Sequence, residues 1–465
     1  MTKIHNPTGD DMLLLRSTDG QDPADHSPRS TPINVAIFFD GTGNNLNSTT
    51  NVGRLHQLVV NQDRTDNAVF YTSGVGADRT GAIGLGTGLG FRNDVEEAYG
   101  FLSDSYERPE DVIHLYGYSR GAFAARALAG LVHTVGLVDL SVLKTQKERE
   151  QFLSDLFTAY KFPARGLTAR DCTAGVDRLQ ESIALRRCAT KAVRKAYGVN
   201  VKPSGAHQDV RFSIVGLWDT VETLGLPNGT QDPDEYNHRY SDQICNMDRV
   251  LHAVSLHDNR ATTYTPILMT RNRLVRDCEG ARDPGVREAL FDRVEEVWFA
   301  GDHGQIGGTE DLGYLSGVSL NWMLSKAADV GVNNQPLFPK HARVYEQPLD
   351  FVKDAERQDL FFQTVFKRQL RTVSLFVQPA ERPVTAPLDN AEMLSTGSGR
   401  PCEVKIHTSV EHWLKARKTI TSRDRQPIAK KALPMLSRKV VEKQISDLED
   451  AKSDGCPLIN IEYVD

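Results

Sequence analysis

The stretch that decides the fold covers residues 112–135 and reads VIHLYGYSRGAFAARALAGLVHTV. Its first residues are mostly apolar, which indicates a buried strand, and its second half is rich in alanine, which indicates a helix. Only the pattern Gly-x-Ser-x-Gly joins the two. Gly117 and Gly121 are expected to let the strand and helix backbones approach closely, so that the sharp turn lifts the hydroxyl of Ser119 clear of the sheet. We therefore predict that Ser119 is a nucleophile.

Two backbone groups near this serine are predicted to form an oxyanion hole. The N–H of Arg120 would lie at the helix N-terminus, where it can donate to a tetrahedral intermediate. The second donor is expected in the loop after an earlier strand, from the N–H of Gly41 or of Thr42. In the alternative, Asp40 holds this loop by hydrogen bonds to its own backbone.

The rest of the chain alternates between strand-like and helical patterns. This alternation predicts an α/β fold, an α/β-hydrolase-like three-layer sandwich around a mostly parallel central sheet. The strand-like segments are 33–39, 68–71, 112–117, 211–218 and 294–300, and the main helical segments are 94–106, 122–135, 147–161, 176–197 and 315–330.

Composition shifts divide the chain into three parts. Residues 1–31 are polar and predict a flexible leader. Residues 32–340 are expected to form the catalytic domain, with a helical insertion at about 140–207. Residues 341–465 form a mixed extension with a basic stretch at 415–443, which is either a lid or a membrane or partner docking region, or simply a set of solvated helix faces.

A serine nucleophile needs a base and an acid. Both are expected downstream of Ser119, because the expected chain order is serine, acid, histidine. Asp219 directly follows a strand, and His303 lies in a glycine-rich loop after a later strand, from which it can swing to the serine. His252 and His257 fall in a helical pattern and are expected to be structural. The alternatives are a helix N-cap for Asp219 and a loop histidine without catalytic work for His303.

Charge and composition exclude several classes of function. The chain has 55 basic and 61 acidic side chains among 465 residues, for a net charge of −6, so no nucleic-acid partner is expected. Residues 74–90 are rich in glycine but lack the Lys-Ser/Thr ending of a phosphate loop, and predict an active-site rim. The six cysteines form no Cys-x-x-Cys pair, which argues against a zinc site or disulfides and for a reducing cytoplasm.

Together these blocks resemble a family of α/β-hydrolase domains long catalogued as uncharacterised, which includes phospholipase effectors of bacterial type VI secretion systems. The resemblance covers about residues 33–330, with a further block at 406–410. Its matching pieces are Phe38–Asn45, Tyr71–Gly76, Tyr116–Arg126, Gly216–Val221, Trp298–His303 and Ile306–Gly308.

By this resemblance, Ser119, Asp219 and His303 fall on the family's catalytic serine, aspartate and histidine. The implied substrates are ester bonds of glycerophospholipids, with no metal or organic cofactor. Implied partners are a membrane surface and a secretion-spike, adaptor or immunity protein. Tyr118 stands where the family usually has phenylalanine, and the segment after His303 lacks the aspartate common before the glycine pair.

The sequence has no apolar run long enough to cross a bilayer and begins without a secretory signal. We therefore expect a protein made in the cytoplasm and exported, if at all, by the type VI route into the periplasm of a target cell. Two other functions stay open. One is a soluble carboxylesterase or thioesterase with the same triad, and the other is a binding module whose hydrolase core is inactive.

Overall fold

A single eight-stranded sheet forms the centre of the protein in the computed structural model. The structure describes residues 29–41, 44, 50–74, 89–161, 178–221, 243–258, 266–309, 314–346, 403–415 and 460–465. The strands are β1 (Asn34–Phe39), β2 (Asn67–Thr72), β3 (Val112–Tyr118), β4 (Phe212–Trp218), β5 (Val250–Ser255), β6 (Val294–Phe299), β7 (Glu403–His407) and β8 (Asn460–Val464). Their order is β2-β1-β3-β4-β5-β6-β7-β8, and every neighbouring pair is parallel.

Helices cover both faces of this sheet. Along β1, Val35 and Ile37 belong to one apolar cluster, whereas Ala36 and Phe38 belong to the other, because side chains alternate between the faces of a strand. The predicted three-layer α/β sandwich is thus confirmed. The described α-helices are α1 (Asn51–Val60), α2 (Leu89–Ser105), α3 (Arg120–Val135), α4 (Gln146–Lys161), α5 (Arg178–Tyr197), α6 (Pro284–Phe291), α7 (His303–Gly307), α8 (Tyr314–Lys326) and α9 (Thr408–Lys415).

The helical pattern assigned around His252 was wrong, because this residue lies in β5. All six residues of that strand are buried, so it lacks the alternation of apolar and polar residues that marks a half-exposed strand. The extension after residue 340 contributes β7 and β8 to the same sheet. The boundary predicted there remains a prediction.

Two helices of the predicted insertion are present. α4 and α5 pack against each other, and the hydroxyl of Tyr197 donates to Asp155 at 2.6 Å. Other predicted features lie outside the described residues: most of the leader 1–31, most of the glycine-rich loop 74–90, and the basic stretch beyond Lys415. In the part of the chain that is described, no helix combines the length and apolar character needed to span a bilayer.

The expectation that disulfides are absent was wrong. Cys245 and Cys278 form a disulfide across a sequence separation of 33 residues, and Cys188 is disulfide-bonded as well. A pairing over such a distance leaves no local spacing signal, because it depends on the fold rather than on a short motif. The disulfides also remove the argument for a reducing compartment.

Steric contact between β1 and α3 fixes the turn that carries Ser119. This residue has φ 58° and ψ −123°, a conformation rarely adopted by residues other than glycine. A Cβ on Gly117 would lie 2.6 Å from the Cα of Ala122, and one on Gly121 would lie 2.3 Å from the carbonyl oxygen of Phe39. Both obstacles are backbone atoms, so neither can be relieved by rotating a side chain.

We expect Gly121→Ala to push α3 away from β1 and displace Ser119. The free energy of unfolding should fall by about 3 kcal/mol, as for other overpacked sites. The labelling rate of the folded protein by a fluorophosphonate should also fall at least about tenfold. The control is Gly198→Ala, because a Cβ there meets nothing within 4 Å and only the positive φ of 68° is unfavourable. Equal labelling rates in the two variants would contradict the steric argument.

A second prediction concerns the buried His114 of β3, whose Nε2 lies 3.1 Å from the side-chain oxygen of Asn34. Burial, followed by the positive charge of Arg64, lowers the pKa of His114 from 6.5 to about 3. The neutral imidazole therefore stabilises the fold above pH 6.5, and this contribution is lost as the pH falls toward 3. At pH 5 the loss should reach about 2 kcal/mol.

Urea unfolding at pH 7 and pH 5 tests this prediction. The decrease in stability between the two pH values should be smaller in His114→Gln than in the wild type, because glutamine does not titrate. The variant His341→Gln, which alters an exposed histidine, should keep the full decrease. An unchanged decrease in His114→Gln would show that another group governs acid unfolding.

Candidate active site

Three of the predicted residues form one hydrogen-bonded chain at the carboxyl edge of the sheet. His303 Nε2 lies 2.8 Å from Ser119 Oγ, and His303 Nδ1 lies 2.5 Å from Asp219 Oδ2. All three are buried, with 6%, 5% and 0% of the surface of Ser119, His303 and Asp219 exposed. An imidazole held between a hydroxyl and a carboxylate can accept the hydroxyl proton while the carboxylate stabilises the resulting charge.

Asp219 is held in place by the strand next to its own. It follows β4 directly with φ 43°, and its Oδ1 accepts a hydrogen bond from the N–H of Ser255 at 2.9 Å. The residues after it, Thr220 and Val221, are not helical. Its carboxylate therefore acts on His303 and Ser255 and does not cap a helix.

His303 lies on a short helix and not in a swinging loop, which corrects the expectation from the sequence. It is the first residue of α7, and Asp302 before it forms a capping box with Gln305. The side chain of Asp302 accepts from the Gln305 N–H at 2.7 Å, while the Gln305 side chain accepts from the Asp302 N–H at 3.2 Å. The imidazole is thus presented from a fixed backbone.

Tyr118 also bonds to the backbone of His303. Its hydroxyl donates to the carbonyl oxygen of His303 at 3.1 Å, a contact that a phenylalanine at this position could not make. Its ring has room only because Gly41 and Gly307 flank it, since a Cβ on either would lie 2.5 Å or 2.0 Å from ring atoms. The Tyr118 departure noted in the sequence therefore has a structural consequence.

Asp258 is a functional candidate that the sequence reasoning missed. Its Oδ2 accepts the backbone N–H of His303 at 3.1 Å, and the residue is fully buried. The neighbouring His257 donates its own N–H to the carbonyl of Gly301, and its Nδ1 accepts the Gly301 N–H. Burial lowers the pKa of His257 to about 3, which keeps this imidazole neutral. An aspartate shortly after a strand was the available signal, but β5 was not recognised as a strand.

His252 holds the residue that follows Asp219 by a hydrogen bond. Its Nε2 accepts the N–H of Thr220 at 3.1 Å, and its Nδ1 lies 2.8 Å from Glu296 Oε2. Glu296 also accepts from the N–H of Met269 at 2.6 Å. The structural role expected for His252 is therefore accounted for, although its position in a strand was not foreseen.

The loop predicted to supply the second oxyanion donor is organised by Asp40. The Gly41 N–H donates to Asp40 Oδ1 at 2.7 Å, while the hydroxyls of Thr50 and Tyr71 donate to Asp40 Oδ2, each at 2.7 Å. Burial raises the pKa of Asp40, and these three hydrogen bonds oppose the shift. The bond that Asp40 makes to its own loop backbone is thus present. Thr42 lies outside the described residues.

The first predicted oxyanion donor, Arg120, occupies the opening position of α3. The N–H groups of a first helical turn are not used inside the helix and carry partial positive charge. Across the described segments, no three histidine, cysteine, aspartate or glutamate side chains come together in a group that could hold a metal ion.

The known proteins that resemble this chain are distant relatives, and each matches only part of it. An uncharacterized Saccharomyces cerevisiae protein, YEL023C, is 25% identical over 273 residues, which are 55% of this chain and 34% of that protein. This chain thus spans about a third of the length of the yeast relative.

Two solved structures are also similar. An uncharacterized protein from Pseudomonas aeruginosa gives a TM-score of 0.35 at 18% identity, over 63% of this chain and 45% of that one. The Tle1 effector bound to the VgrG spike of the type VI secretion system gives 0.29 at 16% identity, over 61% and 52% of the two chains.

A match to a protein-family model establishes the family to which this chain belongs. Its description is the catalytic domain of Tle1-like phospholipase effectors of the type VI secretion system, and it matches residues 34–326. That range contains β1 through α8, and with them all three residues of the hydrogen-bonded chain. The resemblance noted in the sequence is confirmed, and the protein belongs to the Tle1-like family of type VI phospholipase effector catalytic domains.

Proposed function

We propose that this protein is a serine phospholipase that hydrolyses carboxylic ester bonds of glycerophospholipids through Ser119, His303 and Asp219. The observation that carries the proposal is the hydrogen-bonded chain from Asp219 Oδ2 through the imidazole to Ser119 Oγ. Membership in a phospholipase effector family supports the substrate class.

In the first half of the proposed reaction, His303 Nε2 takes the proton of Ser119 while Oγ attacks the ester carbonyl. The negative charge moves to the carbonyl oxygen, where the N–H of Arg120 donates a hydrogen bond. A second donor comes from Gly41 or Thr42. The Gly41 N–H would have to exchange Asp40 for the oxyanion, since it donates to that carboxylate at 2.7 Å.

Collapse of the tetrahedral intermediate breaks the bond to the leaving oxygen. The lysophospholipid departs with the proton that His303 gives up, and the acyl group stays on Ser119 as an ester. In the second half, His303 removes a proton from water, which attacks this ester. Fatty acid is released, and the proton returns to Ser119. Asp219 keeps its hydrogen bond to the imidazole and stabilises the imidazolium each time it forms.

We further propose that the protein acts as an antibacterial effector in the periplasm of a target cell, delivered on a secretion spike and neutralised by an immunity protein in its producer. Family membership is the basis for the delivery route. The disulfide between Cys245 and Cys278 supports an oxidising destination, because such bonds persist in the periplasm and are rare in the cytosol.

The central test measures lipid products by mass spectrometry after incubation with phosphatidylethanolamine and phosphatidylglycerol vesicles. The wild type should release fatty acid and lysophospholipid. Ser119→Ala should lower the rate by at least about 10³-fold, because the acyl-enzyme cannot form. Ser141→Ala is the matched control. The side chain of this exposed serine bonds to nearby Asp139 and its carbonyl accepts from Lys144, so the substitution should leave the rate unchanged.

Other outcomes separate the remaining functions. Rapid turnover of short acyl esters or thioesters with no release from vesicles would identify an esterase or thioesterase that uses the same residues. Failure of a fluorophosphonate to label Ser119 in the folded wild type would favour an inactive hydrolase fold that acts by binding. Release of fatty acid at the wild-type rate by Ser119→Ala would reject the proposal.

A further inference from the structure

The strand between the acid and the base supplies no member of the proposed triad, yet its carboxyl end touches both. β5 lies between β4, which precedes Asp219, and β6, which precedes His303. The segment Ser255–Asp258 begins at the last residue of β5 and continues past the end of the strand. At its first residue, the Ser255 N–H donates to Asp219 Oδ1 at 2.9 Å. At its last residue, Asp258 Oδ2 accepts from the His303 N–H at 3.1 Å.

This segment also makes three contacts with Gly301, which leads into His303. Ser255 Oγ donates to the carbonyl of Gly301 at 2.8 Å, and the His257 N–H donates to the same carbonyl at 3.2 Å. The Gly301 N–H donates in turn to His257 Nδ1 at 3.2 Å. Gly301 has φ 127°, a conformation that favours glycine, so the chain turns here between β6 and α7. The segment therefore holds the turn as well as the residue after it.

We propose that Ser255–Asp258 is a positioning segment that sets the distance between the acid and the base, and that Asp258 is the positioning residue for His303. This inference rests on the proposed function. A carboxylate accepting a buried backbone N–H makes a stronger hydrogen bond than a neutral group does. Asp258 bonds to the backbone of His303 and not to its ring. The imidazole can therefore exchange protons with Ser119 while the backbone that carries it stays fixed.

Different neighbouring groups bond to different parts of His303. Asp219 bonds to the ring, Asp302 caps the helix that starts at His303, and the Tyr118 hydroxyl bonds to its carbonyl oxygen. Asp258 alone among the described contacts accepts the His303 N–H. Loss of this acceptor should therefore move the imidazole relative to Ser119 without removing any group that touches substrate.

The experiment compares Asp258→Asn and Asp258→Leu with the wild type. Asparagine keeps an acceptor oxygen but loses the charge, so kcat should fall about fivefold. Leucine has a similar size and no acceptor, so kcat should fall about 100-fold, the scale of a misplacement of about 1 Å. KM should change less than about threefold in both, because substrate contacts are intact. Rates are expressed per serine labelled to completion by a fluorophosphonate, which counts folded active sites.

The matched control is Asp111→Asn. This carboxylate is also buried and accepts backbone N–H groups, from Ile33, Glu107 and Arg108, but it lies before β3 at the other edge of the sheet. It should lose stability and keep kcat per labelled site. If Asp258→Leu does not fold, Asp258→Ala is measured against the same criterion.

The outcomes are separable. Wild-type kcat in both Asp258 variants would overturn the positioning role while leaving the proposed function intact, and so would a loss expressed in KM instead of kcat. Equal losses for asparagine and leucine would also overturn it, since the acceptor oxygen would then be irrelevant. A wild type that neither labels at Ser119 nor releases fatty acid would instead reject the proposed function itself.

Discussion

The 2.8 Å contact between Ser119 Oγ and His303 Nε2 joins residues 184 positions apart, and the parallel sheet makes it possible. In a parallel sheet all strands end at the same edge, so residues that follow different strands meet there regardless of their separation along the chain. Ser119 follows β3, Asp219 follows β4, and His303 follows β6 by a few residues. Each side chain then needs only a fixed backbone to reach its partner.

Different local contacts hold the backbones of these three residues. Ser119 sits on a turn whose flanking glycines leave no space for a Cβ. Asp219 occupies a left-handed conformation supported by Ser255 and, through Thr220, by His252. His303 starts a capped helix. The geometry therefore depends on packing and hydrogen bonding along the sheet edge and not on the three side chains alone.

The sequence revealed the parts of this arrangement that depend on local pattern. A strand, a glycine-bracketed serine and an alanine-rich helix are contiguous, so Ser119 and its turn were predictable, and chain order then selected Asp219 and His303. What could not be predicted depends on contacts between distant segments. β5 is buried on both faces and carries no alternation, so the role of Asp258 after it stayed hidden. The pairing of Cys245 with Cys278 leaves no local trace for the same reason.

The C-terminal strands show how far the structural unit extends beyond the segment that identifies the family. The family match ends at residue 326, yet β7 pairs with β6 through Val297–Lys405 and Trp298–Ile406. Trp298 packs with Val404 and Ile406 in a separate apolar cluster. Without β7, the strand that leads to His303 would become an edge with unpaired backbone groups and an exposed tryptophan. The geometry of His303 therefore depends on residues beyond the range 34–326 that the family model matches.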